Sequence, residues 1–196
     1  MMLLHLSDLH FGNKNRFYDD PPGELSKAFH RALTAAVDGI RVDTHISLVI
    51  ITGDLVESGL PSEFRYAREF LSSLANHLDL PPEQFVILPG NHDISWDDCQ
   101  IVRAGLKGEK FAAHEFDARL NAEKLANYRA FLADFYGAPV TDDSFAGLSN
   151  SFPLDGGGWL RDFPELKLSV AALNTSEREN DQVRGGDFSA LHKLNH

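Results

Sequence analysis

Ile46-Ser47-Leu48-Val49-Ile50-Ile51-Thr52-Gly53-Asp54 decides how the rest of the chain is read. A short run rich in β-branched residues, halted by Thr-Gly-Asp, reads as a buried strand that ends on a carboxylate. Two further runs share this design. Leu3-Leu4-His5-Leu6 leads into Ser7-Asp8-Leu9-His10, and Phe85-Val86-Ile87-Leu88 leads into Pro89-Gly90-Asn91-His92-Asp93. Helical patterns separate the runs. From Glu24 to Ile40, Leu25, Ala28, Phe29, Ala32, Leu33, Ala36 and Val37 recur at the spacing of one buried helix face. After Pro61, which suits a helix start, Phe64, Ala67, Phe70, Leu71 and Leu74 do the same. The alternation β-α-β-α-β implies an α/β fold with parallel strands and right-handed crossovers. Ligands of open α/β sheets bind beyond the carboxyl ends of the strands, so three polar strand ends can converge on one site.

Working outward, Ile94 to Ser144 is mainly helical in pattern, with Leu120 to Phe135 forming a helix with one thick apolar face. It leaves the strand end carrying Asn91 and His92, and is expected to be a lid or wall over the site, or a dock for a partner domain. Trp96 either lines the substrate entrance or anchors the segment. A Gly-rich turn at Gly156-Gly157-Gly158 precedes Trp159-Leu160, and Leu166 to Leu173 reads as a further strand. No repeat or long linker divides the chain, so residues 1–196 read as one domain with a helical insertion at about 94–144.

Composition narrows the function. The 196 residues carry 18 Lys+Arg against 29 Asp+Glu, a formal charge of −11, which argues against a surface that grips nucleic acid nonspecifically. A phosphate substrate stays open, because bound cations can supply positive charge locally. The 43% hydrophobic content supports a sizeable core, and Cys99, the single cysteine, excludes an intrachain disulfide. No basic residue precedes the short apolar start and no run approaches the roughly 20 residues that span a bilayer. The expectation is a soluble cytoplasmic protein with no membrane partner and an inert Cys99.

The chemistry sits at the strand ends. Asp8 and His10, two apart on an extended chain, project to one side and can reach one cation; a carboxylate with an imidazole suits Zn, Mn or Fe. Gly53 permits a sharp turn, and Asp54 offers two oxygens, enough to bridge two ions. Taken singly, each pair reads equally well as ordinary polar turn residues. Asn91-His92-Asp93 is sharper: a neutral amide ligand, an imidazole that can bind phosphate or protonate a departing oxygen, and a carboxylate that could orient that imidazole. Composition of a turn does not explain why three strands all end this way.

Together, Asp8-Leu9-His10-Phe11-Gly12, Gly53-Asp54-Leu55-Val56-Glu57-Ser58-Gly59 and Gly90-Asn91-His92-Asp93 resemble the D-x-H, G-D-x-x-x-x-G and G-N-H-D/E blocks of the calcineurin-like metallophosphoesterase superfamily. The resemblance covers the first half of the chain. It implies an α/β/β/α sandwich and a phosphomonoesterase or phosphodiesterase using two divalent metal ions, Mn, Fe or Zn. It also implies that Asp8 and His10 bind the first ion, that Asp54 bridges both and that Asn91 binds the second. His92 would contact the scissile phosphate and assist the leaving group, while a hydroxide between ions about 3.5–4 Å apart attacks. Phosphate esters are the implied substrates, with nucleotides and nucleic-acid ends left open.

The resemblance breaks off after Asp93. The superfamily's later strand-end His and its G-H-x-H block have no counterpart; only His114, His192 and His196 follow. His114 reads as an exposed or capping residue, and His192 and His196 as one face of a terminal helix beginning near Gly185-Gly186-Asp187. The second half of the sandwich is therefore expected to be incomplete, with a C-terminal continuation or a partner domain supplying the missing histidines. A chain so limited is expected to bind metal poorly. Two alternatives remain: a nuclease domain of a larger protein, and a scaffold or regulatory module that keeps the fold without catalysis.

Overall fold

The structure is a computed structural model that describes residues 2–12, 23–40, 45–105, 113–138, 151–153 and 158–174. Strands β1 (Met2–Leu6), β2 (Ile46–Thr52) and β3 (Phe85–Leu88) form a parallel sheet in the order β1-β2-β3, as the β-α-β-α-β reading requires. Helices α1 (Gly23–Ile40) and α2 (Pro61–Leu78) make the crossovers. Alternate residues face opposite ways along a strand. Val49, Ile51, Phe85 and Ile87 therefore meet the helices, while Leu48, Ile50, Val86 and Leu88 meet a second sheet. β1 is only half-buried: Met2, Leu4 and Leu6 pack inward, whereas Leu3 and His5 are exposed and His5 binds the Thr52 hydroxyl.

On α1 the face that packs is Phe29, Leu33 and Val37; Ala28, Ala32 and Ala36, expected on the same face, are exposed. A four-residue step follows one narrow stripe, and three alanines beside it add no bulk to bury. On α2 the expected residues Phe64, Ala67, Phe70, Leu71 and Leu74 are all buried.

The segment after Asp93 differs from the single long helix expected over Leu120–Phe135. It forms α3 (Trp96–Gly105), α4 (Ala113–Lys124) and α5 (Ala126–Tyr136). The break at Leu125 has a cause: the Lys124 carbonyl accepts the Ser95 N–H at 3.0 Å, outside its own helix. Trp96 packs partly buried against the core, which is the anchoring role, and Cys99 is fully buried.

α5 lies on α2 and closes the edge of the parallel sheet. In β3 the carbonyls of Phe85 and Ile87 point away from β2. The Tyr136 hydroxyl donates to Phe85 O and the Tyr128 hydroxyl to Ile87 O, each at 2.9 Å. The buried Arg161 guanidinium adds bonds to Phe85 O and Glu83 O, lying over the Tyr136 and Phe163 rings.

The second sheet is antiparallel: β4 (Ser151–Pro153), β5 (Trp159–Phe163) and β6 (Leu168–Ala172), in that order. Its β6 is shorter than the expected Leu166–Leu173, because Pro164–Leu166 forms a 3-10 turn and Lys167 is left-handed. Phe163 and Ala172 seal it against Leu48 and Val86. The described layers thus run helix, sheet, sheet, the order the α/β/β/α sandwich predicts. The expected terminal helix with His192 and His196 lies outside the described residues. No helix among the described residues is long and apolar enough to cross a membrane.

Candidate metal centre

Beyond the end of β1, the chain keeps running alongside the end of β2. Asp8 N–H donates to Gly53 O (3.3 Å), His10 N–H to Asp54 O (2.9 Å), Phe11 N–H to Leu55 O (2.9 Å) and Glu57 N–H to Phe11 O (3.2 Å). This places Asp8-Leu9-His10 flush against Gly53-Asp54. The backbone there is not extended, contrary to expectation. Asp8, His10 and Asp54 all have positive φ (55°, 46° and 50°), three of the five non-glycine residues described in that region. Left-handed turns, rather than strand alternation, aim these side chains. Such conformations concentrate at functional sites, where the surroundings hold them in place.

The third strand end closes on the second. The His92 N–H donates to Asp54 Oδ1 at 3.0 Å. Gly90 passes so close that a Cβ there would land on the Asp54 carboxylate and amide, which only glycine avoids. Asn91, half-buried, lies on this turn between Gly90 and His92, which brings its backbone beside Asp54.

Asp93 takes a different part from the one expected. Its Oδ1 accepts the Val56 N–H (2.9 Å), and its Oδ2 accepts Gly90 N–H (2.8 Å) and Leu55 N–H (3.2 Å). Both oxygens are thereby committed to backbone, and the carboxylate ties the Asp54 loop to the Asn91 turn instead of orienting His92. Burial pushes its carboxyl up to about 7, against the pull of the three backbone donors and with a further upward push from Asp54. The His92 ring is held by another group: Nδ1 donates to the Glu57 carbonyl at 2.8 Å. A carbonyl only accepts, so Nδ1 carries the hydrogen and Nε2 is left to act.

Two clusters of ligand-type atoms result, each within 4.8 Å of one another: Asp8, His10 and Asp54, and His10, Glu57 and His92. The His10 ring is shared. Its Nε2 is 4.0 Å from Asp8 Oδ1 and its Nδ1 3.4 Å from Glu57 Oε2, with the His92 ring edge-on at 4.7 Å between centroids. Two carboxylates and an imidazole drawn together fit a divalent cation, which would offset the repulsion between Asp8 and Asp54. The group of His10, Glu57 and His92 lies beside the first, and Asn91 sits on the adjoining turn.

Three supporting residues escape a motif reading. Glu57 occupies a variable position of the G-D-x-x-x-x-G block. Glu63, buried on the first turn of α2, accepts Ser58 N–H (2.9 Å) and Leu60 N–H (3.2 Å), so the loop after Asp54 has its amides met by Asp93 and Glu63. Asn127, on α5, donates to Gly59 O at 2.9 Å. Only Glu63 left a signal, a Glu at the third position of a Pro-started helix that can reach back to the loop amides.

A parallel sheet whose strand ends bring Asp8, His10 and Asp54 together, with the His92 ring beside His10, defines a class, and comparison with known proteins agrees. The family model for calcineurin-like phosphoesterases matches residues 1–189, and the chain belongs to that family. Among curated relatives it is similar to the glycerophosphodiester phosphodiesterase GpdQ of Enterobacter lignolyticus (strain SCF1), 31% identical over 97 residues. That match spans 47% of this chain and 30% of the relative, so the chain covers under a third of that protein's length.

Proposed function

We propose that the chain hydrolyses phosphate esters, phosphodiesters foremost, at a centre for two divalent cations. The observation that carries this reading is the gathering of ligand atoms of Asp8, His10 and Asp54 within 4.8 Å of one another at two adjacent strand ends. Asp8 and His10 would hold the first ion, Asp54 would be shared, and Asn91 would serve the second. When bound, such ions supply charge to the phosphoryl oxygens and lower the pKa of water. The diester preference follows from the activity in the name of the relative GpdQ.

His92 works from Nε2. Its Nδ1–H···O bond to Glu57 persists whether the ring is neutral or cationic, so the ring keeps its aim while Nε2 gains and loses a proton. In the cationic form it binds a phosphoryl oxygen and hands that proton to the leaving oxygen. Asp93 contributes indirectly by locking the turn on which Asn91 and His92 sit.

The test is hydrolysis of an aryl phosphodiester with added Mn²⁺ or Zn²⁺, and with neither. Asp54→Ala should abolish turnover and weaken metal binding together. His92→Ala should lower turnover by about 10²–10⁴-fold with metal binding retained. Tight metal binding without turnover under any condition would favour the scaffold reading.

A further inference from the structure

We infer that Glu57 is a positioning residue for both imidazoles of the site, its carbonyl setting His92 and its carboxylate setting His10; the inference deepens the hydrolase reading above and rests on it for its catalytic meaning. The backbone of Glu57 is held on both sides: its N–H donates to Phe11 O at 3.2 Å and its carbonyl accepts from His92 Nδ1 at 2.8 Å. Its Cβ lies against Gly12, where an added Cβ would overlap it, so the first loop packs directly on the base of the side chain. The carboxylate, 19% exposed, reaches His10 Nδ1 through Oε2 at 3.4 Å. That is an ion-pair contact, longer than a formed hydrogen bond, and such contacts shorten once a site is loaded.

Carbonyl and carboxylate oxygens are both acceptors, so each imidazole is driven to carry its hydrogen on Nδ1 and to present Nε2. For His10 this is the nitrogen that faces Asp8. For His92 it is the nitrogen left to meet phosphate. A carboxylate behind an imidazole also raises its basicity as a metal ligand, and removing such a partner typically costs 10–100-fold in metal affinity. One residue thus fixes the tautomers of two rings that sit 4.7 Å apart, by two chemically different acceptors.

The difference between the acceptors supplies the test. In metal-free, ¹⁵N-histidine-labelled full chain at about pH 8, above the ordinary imidazole range, long-range ¹H–¹⁵N correlations report which nitrogen is protonated. Both His10 and His92 should be in the Nδ1–H form. In Glu57→Ala, His10 should lose that preference and Zn²⁺ affinity should fall about 10–100-fold, while His92 keeps Nδ1–H because its partner is backbone. Glu57→Gln should restore the His10 tautomer, its amide oxygen accepting as before, with part of the affinity. The unchanged His92 signal also reports that the variants fold. An unaltered His10 tautomer with unaltered Zn²⁺ affinity in Glu57→Ala would overturn the inference. So would loss of a whole equivalent of bound Zn²⁺ in Glu57→Gln with the His10 tautomer unmoved, since Glu57 would then be a ligand. Neither readout uses turnover, so inactivity of the wild type would count against the hydrolase reading alone.

Discussion

The loop after β2 and the free edge of β3 face the same physical problem with opposite sign. In the loop, the orphaned groups are N–H donors: Leu55 and Val56 are met by Asp93, Ser58 and Leu60 by Glu63. At the edge they are carbonyl acceptors: Phe85 is met by Tyr136 and Arg161, Ile87 by Tyr128. Buried backbone polar groups must be paired in either place. The choice of partner separates the two regions in function. Carboxylates beneath the loop bring negative charge to the place where cations are expected. Phenols and a guanidinium at the edge stiffen the fold, with Tyr128 close enough to feel the Asp93 charge.

The comparison breaks most readily at Asp93. Asp93→Ala would leave three N–H donors without a partner and free the Asn91 turn from the Asp54 loop. A loss of about 3–5 kcal/mol in urea unfolding is expected, together with a collapse of metal affinity. Loss of stability with metal affinity intact would show that Asp93 does not hold the site. The same residue predicts a pH dependence for protein kept metal-free with chelator. Its folded-state carboxyl titrates near 7 against an ordinary 3.8. Between those values the folded chain binds the extra proton, so this residue's contribution to stability is full below about pH 4 and is lost as pH rises through 7, by up to ~1.4 kcal/mol per pH unit. Asp93→Asn should flatten that slope.

What the sequence disclosed and what it hid divide along the same line. The parallel sheet was legible because β2 and β3 are apolar runs stopped by Gly and Pro, and the meeting of Asp8, His10 and Asp54 because these residues directly follow β1 and β2. The reason offered for Asp8 and His10, side chains alternating on extended chain, was wrong: both residues are left-handed. Pairings across 35 or more residues left no local trace. Nothing near Glu57 announces that its carbonyl takes the His92 ring, and nothing near Asp93 says that its oxygens go to Leu55 and Val56. The β4–β5 pairing was hidden by the brevity of Ser151–Pro153 and by Arg161, a charge facing inward on a strand. The helix break at Leu125 depends on Ser95, in a distant turn.

Smaller effects sharpen the edge side of the comparison. Burial pulls the Arg161 guanidinium below its ordinary pKa while the two carbonyls and two rings hold it. Arg161→Ala should cost about 3 kcal/mol, since it removes packing and pairing together, whereas Arg161→Met, which fills the space without a charge, should cost about 1.

The two tyrosines supply the finest test, because they cap carbonyls with different company. The described partners of Ile87 O across this edge come down to Tyr128, so Tyr128→Phe strips its hydroxyl donor and should cost about 1 kcal/mol. Phe85 O keeps Arg161 when Tyr136 loses its hydroxyl, but the Ile87 backbone and the Arg161 side chain lose a partner in it, so Tyr136→Phe should also cost about 1 kcal/mol. In Arg161→Met the Phe85 carbonyl has lost its second donor, so Tyr136→Phe should cost more there than in the wild type, a coupling that a double-mutant cycle in urea reads directly. Metal affinity and turnover should stay level throughout the series. A tyrosine variant that weakens metal binding as much as stability would mean that the edge and the site are one cooperative unit.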